Sequence, residues 1–550
     1  MFLKNLLSNP NSVGIILVAG AMIWSLWTVS TRTQPLQQEN RVVRILHWQL
    51  EPGYREAFDM IIEDYNNLPH VREAGYEVKQ IAVTERVYAQ FLNVHIISGT
   101  APDLCLLGMS KLAQLKALFF ENLDAYVNQP NPYNTDESLP EGLDPETRNA
   151  LITRPWKETF FDGLKSGFDD ALLAYYGIPI SSWGSIRIYY NKNLVREAKQ
   201  HLIQAFETTP QPEWLTSCYL ENGGFIVPNQ RFKSWMTSDS PPETLGQLVT
   251  ICSAIKDFAE KTGRDNLVPI SGSKYGKTMF LDAYATPFTY TYTESLDANT
   301  NGNIQEIETL GGWQAEVWDF DDKRVSALFE LAEEFTQFFP TGFLGLDREQ
   351  AIRRFILKNA AMVTSGSWDA GGIFQGANDF EVGIMDFPLP APEEKWGDLD
   401  AIKASETGKK GGGTYGLYKG SKMQKEAVDF MRFLTSMPAN EKFNRFSGTI
   451  PVALGAEAVD RIKPFELRYE GLKDGAQIKF HPKNSGDVGV LFFGQYFLFM
   501  EGSIDYLEFT NRAHEIYERP RTGINRLWFE QQERERTLSR LTEQTLDSIR

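Results

Sequence analysis

The stretch "SGTAPDLCLLG", Ser98–Gly108, marks a change from helix to strand. Gly99 can adopt the left-handed backbone conformation that ends a helix, and Pro102 cannot continue one. Leu104–Leu107 is then apolar on both faces, which is typical of a strand in a parallel sheet that helices cover. We predict that Asp103 has a mainly structural role, tying this turn to backbone N–H groups.

The preceding residues repeat the same pattern of strand and helix. "RVVRILHW", Arg41–Trp48, is rich in β-branched residues and of strand length, and "YEVKQIAV", Tyr76–Val83, alternates as a second strand. Between them, apolar residues from Tyr54 to Tyr65 follow the spacing of one buried helix face. Thr84 is a plausible N-cap for a second helix. The predicted buried face of that helix consists of Val87, Phe91, Leu92 and Ile96.

Strand, helix, strand, helix, strand is a doubly wound α/β unit. In such sheets a ligand lies beyond the carboxyl ends of the strands. Here those ends are Trp48–Glu51 and Gly108–Ser110. The first of the two contains an aromatic ring and a carboxylate, and the second contains a hydroxyl, so both can contact a polar ligand.

The composition indicates a globular, acidic protein with more than one domain. The chain has 550 residues, 42% of them hydrophobic, and a formal net charge of -17. Nucleic acids and anionic surfaces are therefore disfavoured as partners. Aromatic residues make up 13% of the chain, enough for some to line a site.

The cysteines and histidines signal neither a disulfide framework nor a metal centre. Cys105, Cys218 and Cys252 are an odd number without C-x-x-C spacing, and the six histidines show no metal-binding spacing. A single Cys218–Cys252 bridge stays open. We expect no cofactor and no metal.

The first forty residues have the pattern of an exported protein. "VGIILVAGAMIWSLWTV", Val13–Val29, is uncharged, follows Lys4, and precedes a polar stretch. Such a run is a secretory signal or a membrane anchor. No A-x-A cleavage motif follows the apolar run, so we favour an uncleaved anchor at residues 13–29, with residues 1–40 as anchor and tether. The positive N-terminal side then lies in the cytoplasm and the body outside.

Farther along, the elements are more widely separated. Ile186–Tyr190 is a predicted strand and Leu245–Ala259 a predicted helix, whereas 205–240 and 285–322 lack clear periodicity and are predicted as insertions or loops. Ser421 and Gln424 match a capping box before a helix that buries Ala427, Phe430, Met431 and Leu434. From about Asp505 the chain is charged and helical in pattern.

The order of several stretches resembles the extracellular solute-binding proteins of ABC transporters, specifically the sugar-binding group, family 1. The stretches that carry this resemblance are "VRILHWQLEPGYREAFDMIIEDYN", "SGTAPDLCLLG", "IRIYYNKNLV", "AMVTSGSWDAGGI", "GGGTYGLYKGSKMQKEAVDFMRFLTS" and "TIPVALGAE". The resemblance implies the type II periplasmic-binding-protein fold, with two α/β lobes, a hinge and a ligand cleft between the lobes. Lobe 1 would comprise 42–160 and 412–475, and lobe 2 would comprise 180–411 and 476–550. The chain departs from the family's pattern in its length and in lacking a lipoprotein cysteine.

A sugar site needs flat aromatic rings together with carboxylates, amides or Arg. In lobe 1, Trp48 is a platform or a core cap, and Glu51 is a hydroxyl acceptor or a charge at the N-terminus of a helix. Arg86 lies near a helix N-terminus, where a cation is poorly placed, so either it has a specific partner or it is solvated. By resemblance, Ser110 lies in the loop that approaches the ligand.

In lobe 2 the strongest candidate is Trp368, because the Gly and Ser residues around it allow a ligand to approach the backbone closely. The alternative is a buried packing Trp. The further ligand-binding candidates are Trp183, Tyr275, Trp313 and Tyr496. The glycines at 411–413 are not followed by Lys-Ser/Thr, so they predict a hinge or a close-approach loop and not a phosphate loop.

The resemblance implies a monomeric, extracytoplasmic protein that captures a sugar or oligosaccharide and delivers it to the permease subunits of an ABC importer. One alternative is a membrane-tethered sugar sensor or scaffold. A glycoside hydrolase with Glu51 and Asp369 as paired carboxylates is less favoured. None of the motifs H-E-x-x-H, G-x-S-x-G and G-x-x-x-x-G-K-[ST] occurs in the chain, so we expect no catalysis and no catalytic residues.

Overall fold

The structure is a computed structural model. It describes residues 41–50, 53–108, 116–169, 172–182, 184–209, 212, 214–215, 230–274, 276, 279–298, 300, 304–406, 411–468, 478–482 and 486–549.

The main elements follow in chain order. The strands are β1 Arg41–His47, β2 Tyr76–Ala82, β3 Leu104–Leu106, β4 Phe168–Asp169, β5 Ala174–Tyr175, β6 Ile178–Ser181, β7 Arg187–Asn191, β8 Val268–Ile270, β9 Ala360–Ser365, β10 Val382–Met385 and β11 Gly412–Leu417. The helices are α1 Tyr54–Asn66, α2 Pro69–Ala74, α3 Glu85–Ile97, α4 Lys116–Phe119, α5 Asp124–Val127, α6 Pro145–Thr153, α7 Lys192–Thr208, α8 Gln230–Thr237, α9 Leu245–Lys261, α10 Met279–Thr289, α11 Thr293–Leu296, α12 Glu306–Gln314, α13 Lys323–Thr336, α14 Arg348–Ile356, α15 Ala370–Gly376, α16 Gln424–Leu434, α17 Met437–Ser447, α18 Gly486–Met500, α19 Tyr506–Glu518 and α20 Ile524–Ile549.

Lobe 1 is built on a five-stranded sheet with the order β2-β1-β3-β11-β6. β1 pairs in parallel with β2 and β3, as the doubly wound pattern predicts. β11 comes from much later in the chain and lies antiparallel between β3 and β6. The first lobe is therefore completed by a second, distant segment.

Asp103 explains the turn that precedes β3. The β1–β3 ladder begins at the pair Ile45 and Leu104, so the Arg44 N–H has no strand partner at that point. The Asp103 carboxylate accepts a hydrogen bond from this N–H at 2.7 Å and another from Ser421 Oγ at 2.6 Å. The structural role predicted for Asp103 agrees with these bonds.

The helices of lobe 1 follow the predicted pattern with one exception. α1 buries Tyr54, Phe58, Ile61 and the other residues of the predicted face. In α3, however, Tyr88, Leu92 and Ile96 form the buried face, and Val87 is 44% exposed. The prediction for Val87 was wrong because the buried stripe lies one residue farther along the helix.

Lobe 2 is built on a four-stranded sheet with the order β10-β7-β9-β8, in which β7 is antiparallel to both of its neighbours. Its two faces are covered by different cores. Ile188 and Tyr190 point into the larger core, and Tyr189 points into the smaller one. Ile450 and Phe465 also belong to the smaller core, so part of the segment 412–475 contacts lobe 2.

The two segments predicted as loops contain helices. α8 lies within 205–240, and α10, α11 and α12 overlap 285–322. α10 is buried on almost every side and contains Pro287, so it lacks the one-sided pattern that identifies a surface helix. From Asp505 onward the chain is helical, as predicted, and Asp505 caps α19 by accepting from the Glu508 N–H.

The predicted capping box at the start of α16 does not form. The helix begins at Gln424 and its N-cap is Met423, so Ser421 lies outside the capping position. Ser421 Oγ accepts a hydrogen bond from the Met423 N–H and donates to Asp103. The predicted buried face of this helix is confirmed.

In the described part of the chain, no helix is both long enough and apolar enough to cross a membrane. The predicted anchor at residues 13–29 lies outside that part. Cys105 and Cys252 are free, buried thiols. Burial raises the pKa of both thiol groups.

Candidate functional site

The cleft-side edge of lobe 1 is formed where its strands end. β1 and β3 run parallel, and β6 runs in the same direction because β11 is antiparallel to both β3 and β6. The carboxyl ends of β1, β3 and β6 therefore lie at one edge, beside the N-terminal end of β11. This edge carries Trp48, Gly108, Ser181 and Gly412.

The corresponding edge of lobe 2 is where β7 begins and β8, β9 and β10 end. Five residues, 182–186, join the edge of lobe 1 to the first residue of β7. Residues 386–411 lead back from the end of β10 to the start of β11. Both connections run from the edge of one lobe to the edge of the other. The two edges are therefore close together and face the space between the lobes.

The lobes also approach each other beside Trp368. Gly448 ends α17 of lobe 1 with φ +73°, and a methyl group there would lie 3.5 Å from the backbone nitrogen of Gly371 in α15 of lobe 2. Gly371 follows Trp368 by three residues. The Trp368 side chain is therefore close to the line of contact between the lobes.

The backbone of lobe 2 fixes the position of the Trp368 ring. Trp368 lies in a short 3-10 helix, Ser367–Asp369, directly after β9, and is partly buried. A methyl group on Gly366 would come within 2.2 Å of the Trp368 ring, so only glycine leaves room for this ring position. Tyr189 Oη donates a hydrogen bond to the Gly366 carbonyl oxygen at 2.7 Å and holds that segment in place. A partly exposed, rigidly placed aromatic ring at a sheet edge suits a flat apolar ligand face.

Trp48 occupies the matching edge of lobe 1. It is partly buried, and its ring meets the Tyr88 ring edge-on with centroids 4.8 Å apart. Tyr88 is itself fixed by a hydrogen bond to the Leu106 carbonyl oxygen. Arg86 is exposed at the start of α3, and no described residue pairs with it.

Trp313 and Tyr496 lie elsewhere in lobe 2. The Trp313 ring packs on Tyr517, with centroids 5.2 Å apart, and on His514, both in α19. Tyr496 is fully buried in α18. The structure does not bring these two side chains to the edge that carries Trp368. The other predicted ligand-binding residues, Glu51, Ser110, Trp183 and Tyr275, lie outside the described residues.

Buried polar groups lie beneath the edge of lobe 1. His47 is fully buried at the end of β1, stacks on Phe58, and has its Nε2 atom 2.9 Å from Gln80 Oε1. Burial lowers the pKa of His47 to about 4, and the hydrogen bond to Gln80 offsets only part of that effect. His47 is therefore neutral at physiological pH.

Asp369 does not have the surroundings of a catalytic carboxylate. It is buried, accepts a hydrogen bond from Ser365 Oγ, and forms an ion pair with Arg348 at 3.3 Å. These contacts satisfy the carboxylate internally. Among the described residues, no group of three or more His, Cys, Asp or Glu side chains could hold a metal ion.

A charged cavity that the sequence did not predict lies at the same edge of lobe 2. This cavity has a volume of about 680 Å³ and lies between α10, the end of β10 and residues 403–406. Arg187, the first residue of β7, contributes to its wall and is paired with Glu406. The sequence signal was an arginine within the strand "RIYYN", because a charged residue in a buried strand needs a partner.

Two lobes with facing edges form the architecture of proteins that bind a ligand between domains. The chain belongs to the bacterial extracellular solute-binding proteins, whose family model matches residues 61–466. The expectations of a two-lobed solute-binding protein and of a binding protein in place of an enzyme are thereby confirmed. Family membership also places the protein outside the cytoplasm.

Solved structures of similar fold include several binding proteins and receptors. A chitin oligosaccharide binding protein is 15% identical, with a TM-score of 0.53 over 86% of this chain and 97% of that chain. Maltose-bound MalE3 of T. maritima is 13% identical, with a TM-score of 0.51 over 86% and 98%. The GacH receptor of Streptomyces glaucescens is 13% identical, with a TM-score of 0.50 over 87% and 98%. At these identities the likeness concerns the fold. No curated protein matches the chain in sequence.

Proposed function

We propose that this protein binds a carbohydrate between its two lobes and delivers it to an ABC importer. The observation that carries the proposal is the Trp368 ring, which is partly buried, fixed over Gly366, and placed at the lobe edge near the contact of Gly448 with Gly371. Sugars present an apolar C–H face with hydroxyls around it, and a fixed aromatic ring matches that face.

The structural neighbours support the same class of ligand. One is named for chitin oligosaccharide, one was solved with maltose, and one with acarbose. Trp48 lies on the opposite edge and is the second proposed aromatic platform. Glu51, Arg86, Ser110, Trp183 and Tyr275 remain proposed contacts around these two rings.

The proposed mechanism is a shift of population between open and closed lobes. A ligand that contacts both edges does so only when they are close, so it stabilises the closed form. The proposed partners are the ABC permease subunits in the membrane, which recognise this form. We further propose that the protein acts as a monomer and that residues 13–29 anchor it to the membrane. Membrane fractionation of the full chain tests the anchor, and recovery of a mature chain beginning after Ser30 or Thr31 would contradict it.

A thermal-shift screen tests the ligand class. The full chain, in a detergent that contains no sugar, is heated with a panel of mono- and oligosaccharides. A ligand that binds only the native state raises the midpoint of unfolding in a saturable way. We expect such a shift with intact sugar recovered afterwards, and the absence of a shift across the panel would contradict a carbohydrate ligand.

Two tryptophan variants then locate the site. Trp368→Ala is expected to weaken sugar binding by roughly 30-fold, about 2 kcal/mol, as for a central aromatic contact. Trp313→Ala is the matched control, because its ring packs on Tyr517 and its loss is expected to reduce stability without changing affinity. Titration calorimetry measures the sugar affinity of both variants. If folded Trp368→Ala binds the sugar as tightly as the wild type, the Trp368 ring is not part of the site.

A further inference from the structure

One buried arginine contacts all three segments that join the lobes. Arg187 begins β7 directly after the first connection, residues 182–186, and its side chain is only 6% exposed. Its guanidinium donates two hydrogen bonds to Glu406 in the second connection, residues 386–411, at 2.9 and 3.1 Å. Its Nε donates to the carbonyl oxygen of Pro464 in the third connection, residues 448–485, at 3.0 Å.

Further charges extend this contact into a network. Asp386, where the second connection leaves β10, lies 2.8 Å from Arg187 Nε and pairs with the Arg468 guanidinium. Glu406 accepts from the Arg468 N–H at 2.8 Å, and its own N–H donates to the Arg468 carbonyl oxygen at 2.7 Å. Lys403 lies 3.7 Å from Asp386. We name these five residues, Arg187, Asp386, Lys403, Glu406 and Arg468, the ionic clamp.

Closer to lobe 1 the same connections meet without charges. Ser182 and Ile450 exchange backbone hydrogen bonds at 2.7 and 3.2 Å. Gly184 has φ +60°, and a methyl group there would lie 2.1 Å from the Phe465 carbonyl oxygen, so only glycine fits. The first connection therefore crosses the third through backbone hydrogen bonds and close packing of uncharged residues.

These two regions differ in how easily they deform. A buried ion pair keeps its partners together, because separating them leaves an unpaired charge out of water. The crossing is also buried, but its backbone hydrogen bonds are neutral, and neutral hydrogen bonds are roughly half as strong as the charge-assisted hydrogen bonds of the ionic clamp. Rotation of the lobes must change the φ and ψ angles of a few residues in the connections.

We propose that Arg187 is a positioning residue for lobe closure. Through the ionic clamp it joins the lobe 2 ends of all three connections into one rigid block, and this confines bending to the crossing of Ser182 and Gly184 with Ile450. Arg187 acts on the equilibrium between open and closed lobes. This inference depends on the two-lobed fold and not on the nature of the ligand.

Distances between the lobes test the proposal without a ligand. Spin labels are placed at the exposed positions Lys79 in lobe 1 and Lys261 in lobe 2, in the full chain with Cys218→Ser. Pulsed electron paramagnetic resonance then gives the distribution of interlobe distances. Glu406→Gln is expected to broaden this distribution at least twofold, because the connections then move independently.

A control variant removes an ion pair elsewhere in lobe 2. Lys358 pairs with Asp379 on the exposed surface, outside the three connections. Lys358→Gln is expected to leave the distance distribution unchanged. Broadening of equal size in this control would show a general loosening of lobe 2 and would overturn the proposal.

Hydrogen exchange and a milder variant keep the test decisive if Glu406→Gln does not fold. Lys403→Ala removes only the outermost charge of the clamp and is expected to broaden the distribution less. In Lys403→Ala, the backbone amides of Glu406 and Arg468 are expected to exchange at least tenfold faster than in the wild type. If a folded clamp variant keeps both the width and the exchange rates of the wild type, Arg187 does not position the lobes.

Discussion

Replacing Asp103 by Ala is expected to loosen β1 of lobe 1 without affecting lobe 2. The carboxylate is only 4% exposed and accepts from the Arg44 N–H, which no strand partner satisfies, and from Ser421 Oγ. In the Ala variant both donors lose their acceptor, and the Arg44 guanidinium, 3.6 Å away, loses its opposite charge.

The size of the effect follows from those contacts. A hydrogen bond to a charged group contributes about 1.5–3 kcal/mol, so two of them contribute roughly 4 kcal/mol. That energy corresponds to about a thousandfold change in the equilibrium for local opening. Asp103→Asn keeps one acceptor oxygen and is expected to lose about half of this energy. Ser421→Ala removes a single donor to the carboxylate, with a cost of about 1.5 kcal/mol, the lower end of that range.

Hydrogen exchange measured by mass spectrometry separates the lobes. Peptides that cover residues 41–48 are expected to exchange faster in the order Ser421→Ala, Asp103→Asn, Asp103→Ala. Peptides from α13 and β9 in lobe 2 are expected to keep their wild-type rates. If the amides of Ile45 and Leu46 exchange within tenfold of the wild-type rate in Asp103→Ala, the carboxylate does not hold the β1–β3 junction.

The remaining predictions concern acid stability, the platform and the crossing. Burial lowers the pKa of His47 to about 4, so between pH 6.5 and 4 the unfolded chain binds a proton that the folded protein does not bind. The free energy of unfolding of lobe 1 should therefore fall by about 3 kcal/mol as the pH falls through that range. Urea unfolding at several pH values tests this loss, and His47→Asn should flatten the profile. Gly366→Ala forces the Trp368 ring to move. The affinity for the sugar that binds best in the screen should fall roughly tenfold, about 1.4 kcal/mol, when measured by calorimetry, with little change in the melting temperature. Gly184→Ala should destabilise the fold by about 2 kcal/mol through a clash and a positive φ. Gly99→Ala, with a positive φ but open space around it, is the control and should cost less in the same urea titration.

Local patterns were sufficient to predict the start of lobe 1. The i, i+3, i+4 spacing of α1 and the turn at Gly99 and Pro102 depend on neighbours in the chain, and the structure has both where the sequence predicts them. The predicted capping box does not form, because the outcome depends on a contact with a distant part of the chain. Ser421 matches the local motif, but its hydroxyl is engaged by Asp103, more than three hundred positions away.

The lobe 2 helices and the ionic clamp show the same limit. α10 packs on nearly all sides, so its sequence has no polar face to define a period. Arg187 is surrounded by apolar residues in sequence, and its partners Asp386, Glu406 and Pro464 come from two other connections. A single sequence without pair information cannot bring those segments together.

The candidate site was predicted where a residue directly follows a strand. Trp48 and Trp368 each lie at the end of a strand, and the structure places both at the facing edges. Trp313 and Tyr496 were chosen as aromatic residues in poorly matched segments, and they pack against α19 and the lobe 2 core. Position relative to a strand end was the better guide, because the topology of the sheet fixes where that end lies.

The insertion of β11 between β3 and β6 also sets the order of events as the chain is made and exported. The sheet of lobe 1 lacks its fourth strand until Gly412–Leu417 has emerged, long after β6 ends at Ser181. Until then β3 and β6 have open edges, and the pairing that closes them spans most of the chain, which makes folding slow. A chain that folds slowly stays unfolded for longer, and an unfolded chain can be translocated across a membrane. A nonsense mutation just before Gly412 would therefore remove β11, the strand that joins β3 to β6 in the sheet of lobe 1.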